Sequence, residues 1–268
     1  MALNIVLNGA LGRMGVEIAN VVLSDNTLKL AACVDYPGHP KAGQDYGNLI
    51  GKGPLNVELR DSFDGLDLSG AVIIDFSSIE SSCALLRKAA DLGAGLVVGT
   101  TGLGPEVYEL AQVASKKIPV LVSPNMSLGV NLLFSLTEIV SSRLKDLFDI
   151  EIIEAHHRFK KDSPSGTAKR LGEIVAESLG VSYDDSVQNG RSGLAQSTRP
   201  PREIGMHAVR GGDIVGDHTV LFAGIGERIE LRHMAHSRTT FAKGAVVAAK
   251  WLADHKPGQY TMKDVLGL

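Results

Sequence analysis

The densest group of chemically versatile side chains in the sequence lies between residues 154 and 168. This segment reads Glu-Ala-His-His-Arg-Phe-Lys-Lys-Asp-Ser-Pro-Ser-Gly-Thr-Ala, so that two histidines are followed closely by three basic residues. Histidine titrates near neutral pH and can therefore transfer a proton to a reacting group under physiological conditions. We predict that the pair His156 and His157 supplies a general acid.

The same segment runs into a predicted helix from about Gly166 to Leu179, with Ser163 or Ser165 as its N-cap. The first backbone N–H groups of a helix have no partner within the helix, and together with the helix dipole they attract anions. Exposed N–H groups at Gly166 and Thr167, beside several basic side chains, indicate a site for a small carboxylate or phosphate.

Two other interpretations of this segment are a metal site and a solvated basic loop. Adjacent residues at the end of an extended strand point to opposite faces, so His156 and His157 are poorly arranged to bind one ion. The sequence also offers no third ligand at a typical spacing and no cysteine cluster. Acid–base chemistry beside an anion site is the interpretation that uses all the residue types present.

A second candidate site is the glycine-rich turn that follows the apolar stretch Leu3–Asn8. Its spacing, G-x-x-G-x-x-G, suits a tight turn that brings backbone N–H groups close to a pyrophosphate at a helix N-terminus. Asp35 ends the next predicted strand about twenty positions beyond Gly15, where an acidic residue binds the ribose hydroxyls of a dinucleotide. The predicted coenzyme contacts in this region are Gly9, Ala10, Leu11, Gly12, Arg13, Met14 and Asp35.

Two further polar segments follow later strands of the same predicted sheet. They are Gly99-Thr100-Thr101-Gly102 and Ser123-Pro124-Asn125-Met126. Ligands of open α/β sheets bind at the carboxyl ends of the strands, which makes Gly99, Thr100, Thr101 and the segment 123–126 coenzyme candidates. Ordinary turn chemistry is the alternative for each segment taken alone.

The elements that must position these residues alternate between strand and helix in the N-terminal half. Apolar strands separated by helices predict a parallel sheet covered on both faces. The predicted strands are Leu3–Leu7, Leu28–Val34, Val72–Phe76, Leu96–Val98 and Val120–Val122, with helices ending near Leu23 and Leu92 and another near Glu106–Ala114. Behind Ser127, a predicted N-cap, apolar residues recur at helical spacing as far as Leu147.

The C-terminal half has a different pattern. After a strand at Ile150–Ala155 and the helix to Leu179, residues 181–203 are polar and are predicted to form a long loop. Short connections between the following strands predict a mainly antiparallel second sheet. Those strands are Gly205–Val209, Thr219–Ala223 and Ile229–Met234, and a final helix is predicted at about Thr240–Asp254.

Composition excludes several classes of protein. The chain has 268 residues, 44% of them hydrophobic, and a formal net charge of -3, which is typical of a globular protein and does not favour nucleic-acid binding. Cys33 and Cys83 lie in apolar stretches and are predicted to be buried thiols in a reducing compartment. The N-terminus lacks the pattern of a signal peptide and no apolar run is long enough to span a bilayer, so a cytoplasmic location is expected.

Taken together, these motifs resemble the dihydrodipicolinate (4-hydroxy-tetrahydrodipicolinate) reductases of lysine biosynthesis along essentially the whole chain. The longest match is Glu154-Ala155-His156-His157-x-x-Lys160-x-Asp162-x-Pro164-Ser165-Gly166-Thr167-Ala168. The segments 8–15, 99–102 and 125–129 resemble the nucleotide-binding loops of that family. The segments 211–218 and 237–245 resemble its C-terminal blocks.

The resemblance implies an α/β fold with a Rossmann-like coenzyme domain, residues 1–127 and 240–268. It also implies a substrate-binding and oligomerisation domain, residues 128–239, whose α+β fold has a mixed sheet that assembles a homotetramer. By this resemblance His156 donates the proton with help from Lys160, and a dicarboxylate substrate is bound by His157, Lys160, Ser165, Gly166 and Thr167. Hydride transfer from the nicotinamide then gives tetrahydrodipicolinate, and no metal is implied.

Two positions depart from what some relatives carry. Phe159 stands where they have a third histidine, and Tyr36 follows Asp35 where they have an arginine. An acidic residue without that arginine predicts NADH as the preferred coenzyme, with NADPH still usable. Two alternatives remain: another reductase of a small carboxylic acid, and a non-catalytic NADH-binding sensor. The intact His156 and Lys160 argue against the sensor, and the length of the match argues against a different substrate.

Overall fold

The computed structural model describes residues 2–195 and 197–268 as twelve strands and nine helices within those ranges. The strands are β1 (Leu3–Asn8), β2 (Leu28–Val34), β3 (Leu59–Arg60), β4 (Val72–Asp75), β5 (Gly95–Val98), β6 (Pro119–Val122), β7 (Asp149–His156), β8 (Val187–Asn189), β9 (Ile204–Arg210), β10 (Gly216–Ala223), β11 (Arg228–Ala235) and β12 (Gly258–Tyr260). The helices are α1 (Arg13–Leu23), α2 (Tyr46–Leu49), α3 (Ile79–Leu92), α4 (Pro105–Ala114), α5 (Leu128–Leu144), α6 (Gly166–Leu179), α7 (Tyr183–Ser186), α8 (Thr239–Ala253) and α9 (Met262–Leu266).

The chain forms two compact units, one of which is discontinuous in sequence. The first unit comprises the residues up to Leu128 together with Arg238–Leu268, and the second comprises Gly129–Ser237. The first unit is therefore completed by the C-terminal end of the chain.

The first unit contains a parallel sheet of seven strands in the order β12-β6-β5-β4-β1-β2-β3. Every neighbouring pair is parallel. Residues of α1 and α8 share one apolar cluster with this sheet, and residues of α3 and α4 share the other. Because both faces are covered, the central strands read as unbroken apolar runs, and the predicted Rossmann-like α/β fold is confirmed.

The second unit contains a five-stranded mixed sheet in the order β11-β10-β7-β9-β8. β10 pairs antiparallel with both β7 and β11, whereas β9 pairs parallel with both β7 and β8. The expectation of a mainly antiparallel sheet was therefore wrong, and the mixed sheet implied by the family resemblance is confirmed. The helical connection through α6 explains the difference, since parallel neighbours need a crossover of a dozen or more residues.

Several short elements were not predicted. The segment 181–203 is not one long loop, because it contains α7 and β8, and Gln196 within it lies outside the described residues. The predicted final helix corresponds to α8, but β12 and α9 follow it, and β3 adds an edge strand to the first sheet. Each of these elements has five residues or fewer, too few for a periodic pattern to emerge.

Both cysteines lie in the core, as predicted. Cys33 and Cys83 are buried and neither forms a disulfide, and burial raises the pKa of the Cys83 thiol. Across the described residues, no helix combines the length and the apolar character needed to cross a bilayer.

Candidate active site

The glycine turn between β1 and α1 is packed tightly against the loop that follows β4. Gly9 has a φ of +75°, and a Cβ atom there would lie 2.5 Å from the carbonyl oxygen of Phe76. Gly15 faces the carbonyl oxygens of Gly9 and Ala10 so closely that a Cβ atom would overlap them. Both positions require glycine, and the backbone at the start of α1 is left accessible to a ligand.

Asp35 connects this turn to the end of β2. Its Oδ2 accepts a hydrogen bond from the backbone N–H of Leu11 at 2.8 Å, and its Oδ1 accepts one from the N–H of Tyr36 at 3.0 Å. The hydroxyl of the buried Tyr46 supports the same turn by donating to the carbonyl oxygen of Ala10 at 2.7 Å. Asp35 thus holds the turn in place and still has lone pairs that could accept from ribose hydroxyls.

A cavity of about 380 Å³ opens beside the turn, within the first unit. It is lined by Arg13, Met14, Phe76, Ser77, Gly99, Thr100, Thr101, Pro124, Asn125, Met126 and Phe241. The structure therefore brings together the start of α1 and both predicted loops. The remaining coenzyme candidates, Gly9, Ala10, Leu11, Gly12, Asp35 and Ser123, do not line this cavity.

Phe76, Ser77 and Phe241 line the cavity but were not predicted. Phe76 was assigned to the end of a strand, and Phe241 lies in α8, far away in sequence. The Phe76 ring occupies the space beside Gly99, where a Cβ atom would overlap its carbons. The only signal available in the sequence was Phe241's place in a family-like C-terminal block.

A fully buried carboxylate, Asp75, lies behind the wall of this cavity. It accepts hydrogen bonds from the Asn8 amide at 2.8 Å and from the hydroxyls of Ser77 and Ser82 at 2.5 Å each. Ser77 also donates its backbone N–H to the hydroxyl of Thr100 at 3.1 Å. Burial raises the pKa of Asp75, and the hydrogen bonds from these neighbours oppose that rise. This network fixes the loops after β4 and β5 relative to each other.

The first unit fits a nicotinamide dinucleotide on these observations. Gly12 is the N-cap of α1 and contributes no side-chain cap, so the N–H groups of the first turn can face a pyrophosphate. The close approaches at Gly9 and Gly15 hold the turn tightly against its own backbone and the loop after β4, and the cavity supplies apolar walls beside it. When bound, the coenzyme would supply a hydride.

In the second unit, His156 ends β7 and is buried. Its Nδ1 lies 2.6 Å from Oε2 of Glu154, a fully buried carboxylate two residues earlier on the same face of the strand. Burial lowers the pKa of His156, and the hydrogen bond and charge of Glu154 act in the opposite direction. The net effect is a lowered pKa for His156, and Glu154 is the neighbour that stabilises the charged imidazole.

Glu154 is held from two other directions. Arg210 on β9 binds it with both terminal nitrogens at 2.7 Å, and the backbone N–H of Ser165 donates to its Oε1 at 3.0 Å. Burial raises the pKa of Glu154, but the hydrogen bonds from Arg210, His156 and Ser165 outweigh it and leave that pKa below its usual value. Glu154 therefore carries a negative charge beside the histidine.

A second imidazole, His218 of β10, lies edge-on to His156 with ring centroids 5.2 Å apart. Burial and the nearby His156 lower its pKa to about 3, so it is neutral at physiological pH. Its Nε2 lies 3.0 Å from the hydroxyl of Ser165. Sequence reasoning placed His218 in a family-like block but assigned it no role.

The N-terminus of α6 lies directly beyond this cluster. Ser165 is its N-cap and accepts a hydrogen bond from the N–H of Ala168 at 3.2 Å, which decides between the two predicted N-caps. The N–H of Ser165 is bonded to Glu154, and Gly166 and Thr167 are the next two residues of this first turn. Both residues are more exposed than Ser165.

The two remaining predicted residues lie in the loop between β7 and α6. The Lys160 ammonium is 2.9 Å from the Asp162 carboxylate, which lowers the pKa of Asp162. His157 is half-buried, with its ring 6.3 Å from that of Phe159. Within the described ranges, no group of three or more His, Cys, Asp or Glu side chains is arranged to hold a metal ion.

Two models, one for each half of the same protein family, match this chain. The N-terminal half of dihydrodipicolinate reductase matches residues 3–126, and the C-terminal half matches residues 129–266. The chain belongs to the dihydrodipicolinate reductase family. As a member of that family it is an NAD(P)H-dependent reductase of the lysine and diaminopimelate biosynthetic route.

Individual relatives agree with this membership over the full length. The chain is 46% identical over 264 residues to 4-hydroxy-tetrahydrodipicolinate reductase of Citrifermentans bemidjiense, a match that covers 98% of each chain. It is 47% identical over 265 residues to the enzyme of the same name from an Anaeromyxobacter species, covering 99% of this chain and 98% of the relative.

The fold agrees as well. A dipicolinate-bound dihydrodipicolinate reductase from Paenisporosarcina superposes with a TM-score of 0.74 at 23% identity, covering 97% of this chain and 98% of that one. At this identity the superposition supports the two-sheet fold, whereas the family membership comes from the sequence matches.

Proposed function

We propose that this reductase transfers a hydride from a nicotinamide coenzyme to the dihydrodipicolinate skeleton of 4-hydroxy-tetrahydrodipicolinate, giving tetrahydrodipicolinate. The observation that carries the proposal is His156, held on the buried Glu154 carboxylate, which also accepts the backbone N–H of Ser165, the N-cap of α6. Loss of one water molecule from the 4-hydroxy substrate gives the dihydrodipicolinate ring, and the reduction then adds one hydride and one proton to it. His156 supplies the proton.

The coenzyme is bound by the first unit, residues 1–127 and 240–268 in the predicted division. The turn Gly9 to Met14 faces the pyrophosphate and Asp35 accepts from the adenosine ribose. The loops at 99–101 and 123–126, together with Phe76 and Phe241, enclose the nicotinamide half. The cavity that most of these loop residues line supports this assignment.

The substrate is bound by the second unit, residues 128–239. A carboxylate accepts from the N–H groups of Gly166 and Thr167 at the start of α6, where the helix dipole favours negative charge. Lys160 and His157 lie in the preceding loop and bind the second carboxylate, with Lys160 also raising the acidity of His156 through its charge. Ser165 supports the site through the protein itself, since its side chain caps α6 and its N–H donates to Glu154.

The oligomeric state and location also remain proposals. We expect a homotetramer in the cytoplasm, formed through the outer face of the second sheet. Three apolar side chains on β7, β9 and β11 of this sheet, Ile153, Val209 and Met234, are 38%, 49% and 44% exposed, which is the kind of surface that subunit contacts cover. Light scattering from the purified protein measures the state directly.

The test of the reaction is an assay of NADH consumption with freshly generated 4-hydroxy-tetrahydrodipicolinate. His156→Gln should lower kcat by about 10²- to 10⁴-fold, the usual contribution of a general acid, and leave coenzyme affinity nearly unchanged. His255→Gln, in the first unit and stacked on Trp251, is the matched control and should keep normal kcat. Wild-type kcat in the His156 variant would rule out its role.

A further inference from the structure

The register of the second sheet assembles a group of charged residues around His156. Glu154 and His156 are two residues apart on β7 and so share one face. Arg210 is the register partner of His156 on β9, and His218 is the register partner of Glu154 on β10. Three neighbouring strands thus supply one cluster that no local sequence pattern reveals.

Glu154 has its acceptor capacity filled within this cluster. It receives two hydrogen bonds from Arg210, one from His156 and one from the backbone of Ser165. The Arg210 guanidinium is itself fixed, because it also donates to the carbonyl oxygens of Asp162 at 2.6 Å and Val209 at 2.7 Å. A carboxylate held at four points cannot rotate away from the imidazole.

This arrangement determines which nitrogen of His156 can react. Because Nδ1 faces the Glu154 carboxylate, Nδ1 carries a proton in both the neutral and the charged imidazole, and the exchangeable proton is the one on Nε2. Nε2 lies on the side where Gly216 leaves room, since a Cβ atom on Gly216 would be only 3.0 Å from it.

The charges that face His156 compete with one another. Glu154 on β7 favours the imidazolium, while Lys160 in the following loop and Arg210 on β9 disfavour it. His218 on β10 is neutral, and Asp162 is occupied by Lys160. Since burial also disfavours the charged ring, Glu154 is the group among these that opposes both effects.

We propose that Glu154 is the positioning residue of the proton donor, and that Arg210 acts through it by locking the carboxylate. The pair fixes the Nδ1–H tautomer of His156, so that the exchangeable proton is the one on Nε2, and the Glu154 charge stabilises the imidazolium against burial and the nearby cations. This role adds to the reaction proposed above and rests on His156 being the proton donor in it.

The first experiment needs no variant. Nitrogen NMR of the wild-type protein without ligands should show His156 protonated on Nδ1 in its neutral form. Protonation on Nε2 instead would overturn the proposal. Because this measurement does not depend on turnover, it is informative even if His156→Gln were to retain full activity and the proposed reaction failed.

The second experiment replaces the carboxylate. In Glu154→Gln the pKa of His156 should fall by about one unit or more, because the charge that favours the imidazolium is gone. Activity requires the protonated ring and is lost as pH rises through this pKa, so the falling limb of the pH profile of kcat should move to lower pH by the same amount. At neutral pH kcat should drop about 10- to 100-fold with an unchanged KM for the coenzyme.

Glu151→Gln is the matched control. Glu151 lies on the same strand but on the other face, and it binds Arg191, Arg199 and His207 as Glu154 binds its own partners. Its loss should lower stability similarly and leave the pKa of His156 and the pH profile unchanged. An equal shift in both variants would indicate a structural effect of β7 and contradict the proposal.

Arg210→Lys covers the case in which Glu154→Gln does not fold. Lysine keeps the positive charge but cannot make the two parallel hydrogen bonds of a guanidinium. With the carboxylate less firmly held, kcat should fall about 3- to 30-fold and the coenzyme KM should not change. Wild-type kcat and pH profile in folded Arg210→Lys would remove Arg210 from the proposal.

Discussion

Asp35 has a double task at the scale of single residues, because it holds the glycine turn and faces the adenosine ribose in the proposed site. Free ribose hydroxyls can donate to its remaining lone pairs, whereas a 2′-phosphate would meet a like charge. The next residue, Tyr36, is uncharged and 57% exposed, and its ring lies 4.6 Å from that of His39. The residue after Asp35 therefore offers the phosphate no arginine fork.

We therefore predict a preference for NADH of about 1–2 kcal/mol, or roughly five- to thirtyfold in kcat/KM. Tyr36→Arg should shift the ratio toward NADPH by providing a fork for the phosphate. Tyr36→Phe, which keeps the aromatic ring and adds no charge, should leave the ratio as it is. Steady-state kinetics with both coenzymes at one ionic strength measure it, and a wild-type preference for NADPH would show that His39, Lys41 or another cation dominates the pocket.

At the scale of elements, the turn between β1 and α1 could require glycine at position 9 for two reasons, a left-handed backbone φ or a close contact with the Phe76 carbonyl, and their effects on stability can be separated. Gly9 and Gly70 have the same φ of +75°, but a Cβ atom at Gly70 would meet nothing within 4 Å, while one at Gly9 would strike the Phe76 carbonyl. Gly70→Ala should cost about 1 kcal/mol of unfolding free energy from strain alone. Gly9→Ala should cost roughly 1–3 kcal/mol more, since the turn must shift.

That shift should also weaken NADH binding in Gly9→Ala by at least tenfold, while Gly70→Ala binds normally. Chemical denaturation followed by the fluorescence of Trp251, which lies in the same unit, gives the stability, and titration with NADH gives the affinity. Equal losses in the two variants would mean that φ, and not contact with Phe76, explains the glycine.

The elements also show what the sequence can and cannot predict. β2 and α6 form at the predicted residues because each has a strong local pattern: β2 is seven residues rich in apolar side chains, and α6 is about four helical turns with a serine N-cap. The glycine turn and the histidine segment could likewise be recognised from the sequence, because the residues of each are contiguous. Asp75, Glu154 and Arg210 were not assigned roles, because their importance arises from register between strands distant in sequence.

At the scale of the whole molecule, stability should depend on pH through the imidazoles buried in the second unit. In the folded state the pKa of His218 is about 3, and in the unfolded chain it returns to about 6.5. Between these values only the unfolded chain binds the proton, so the second unit loses stability as pH falls from about 6.5 toward 3. The loss from His218 alone should be on the order of 5 kcal/mol.

Hydrogen exchange at the β10 amides, measured across this pH range, follows the unit that contains His218. In His218→Gln the dependence on pH should become shallower, because glutamine does not titrate and can still meet the Ser165 hydroxyl. An unchanged slope in that variant would assign the acid sensitivity to His156 and Glu154 instead.

The return of the chain to the first unit has a consequence for how the protein is made. α8 contributes Ala242, Ala245, Ala249 and Leu252 to the interior of that unit, and each is completely buried. During translation the six strands β1 to β6 of the parallel sheet leave the ribosome first, whereas α8 emerges only after the whole second unit. The continuous second unit can therefore fold co-translationally, whereas the nascent first unit exposes an apolar sheet face until α8 has emerged.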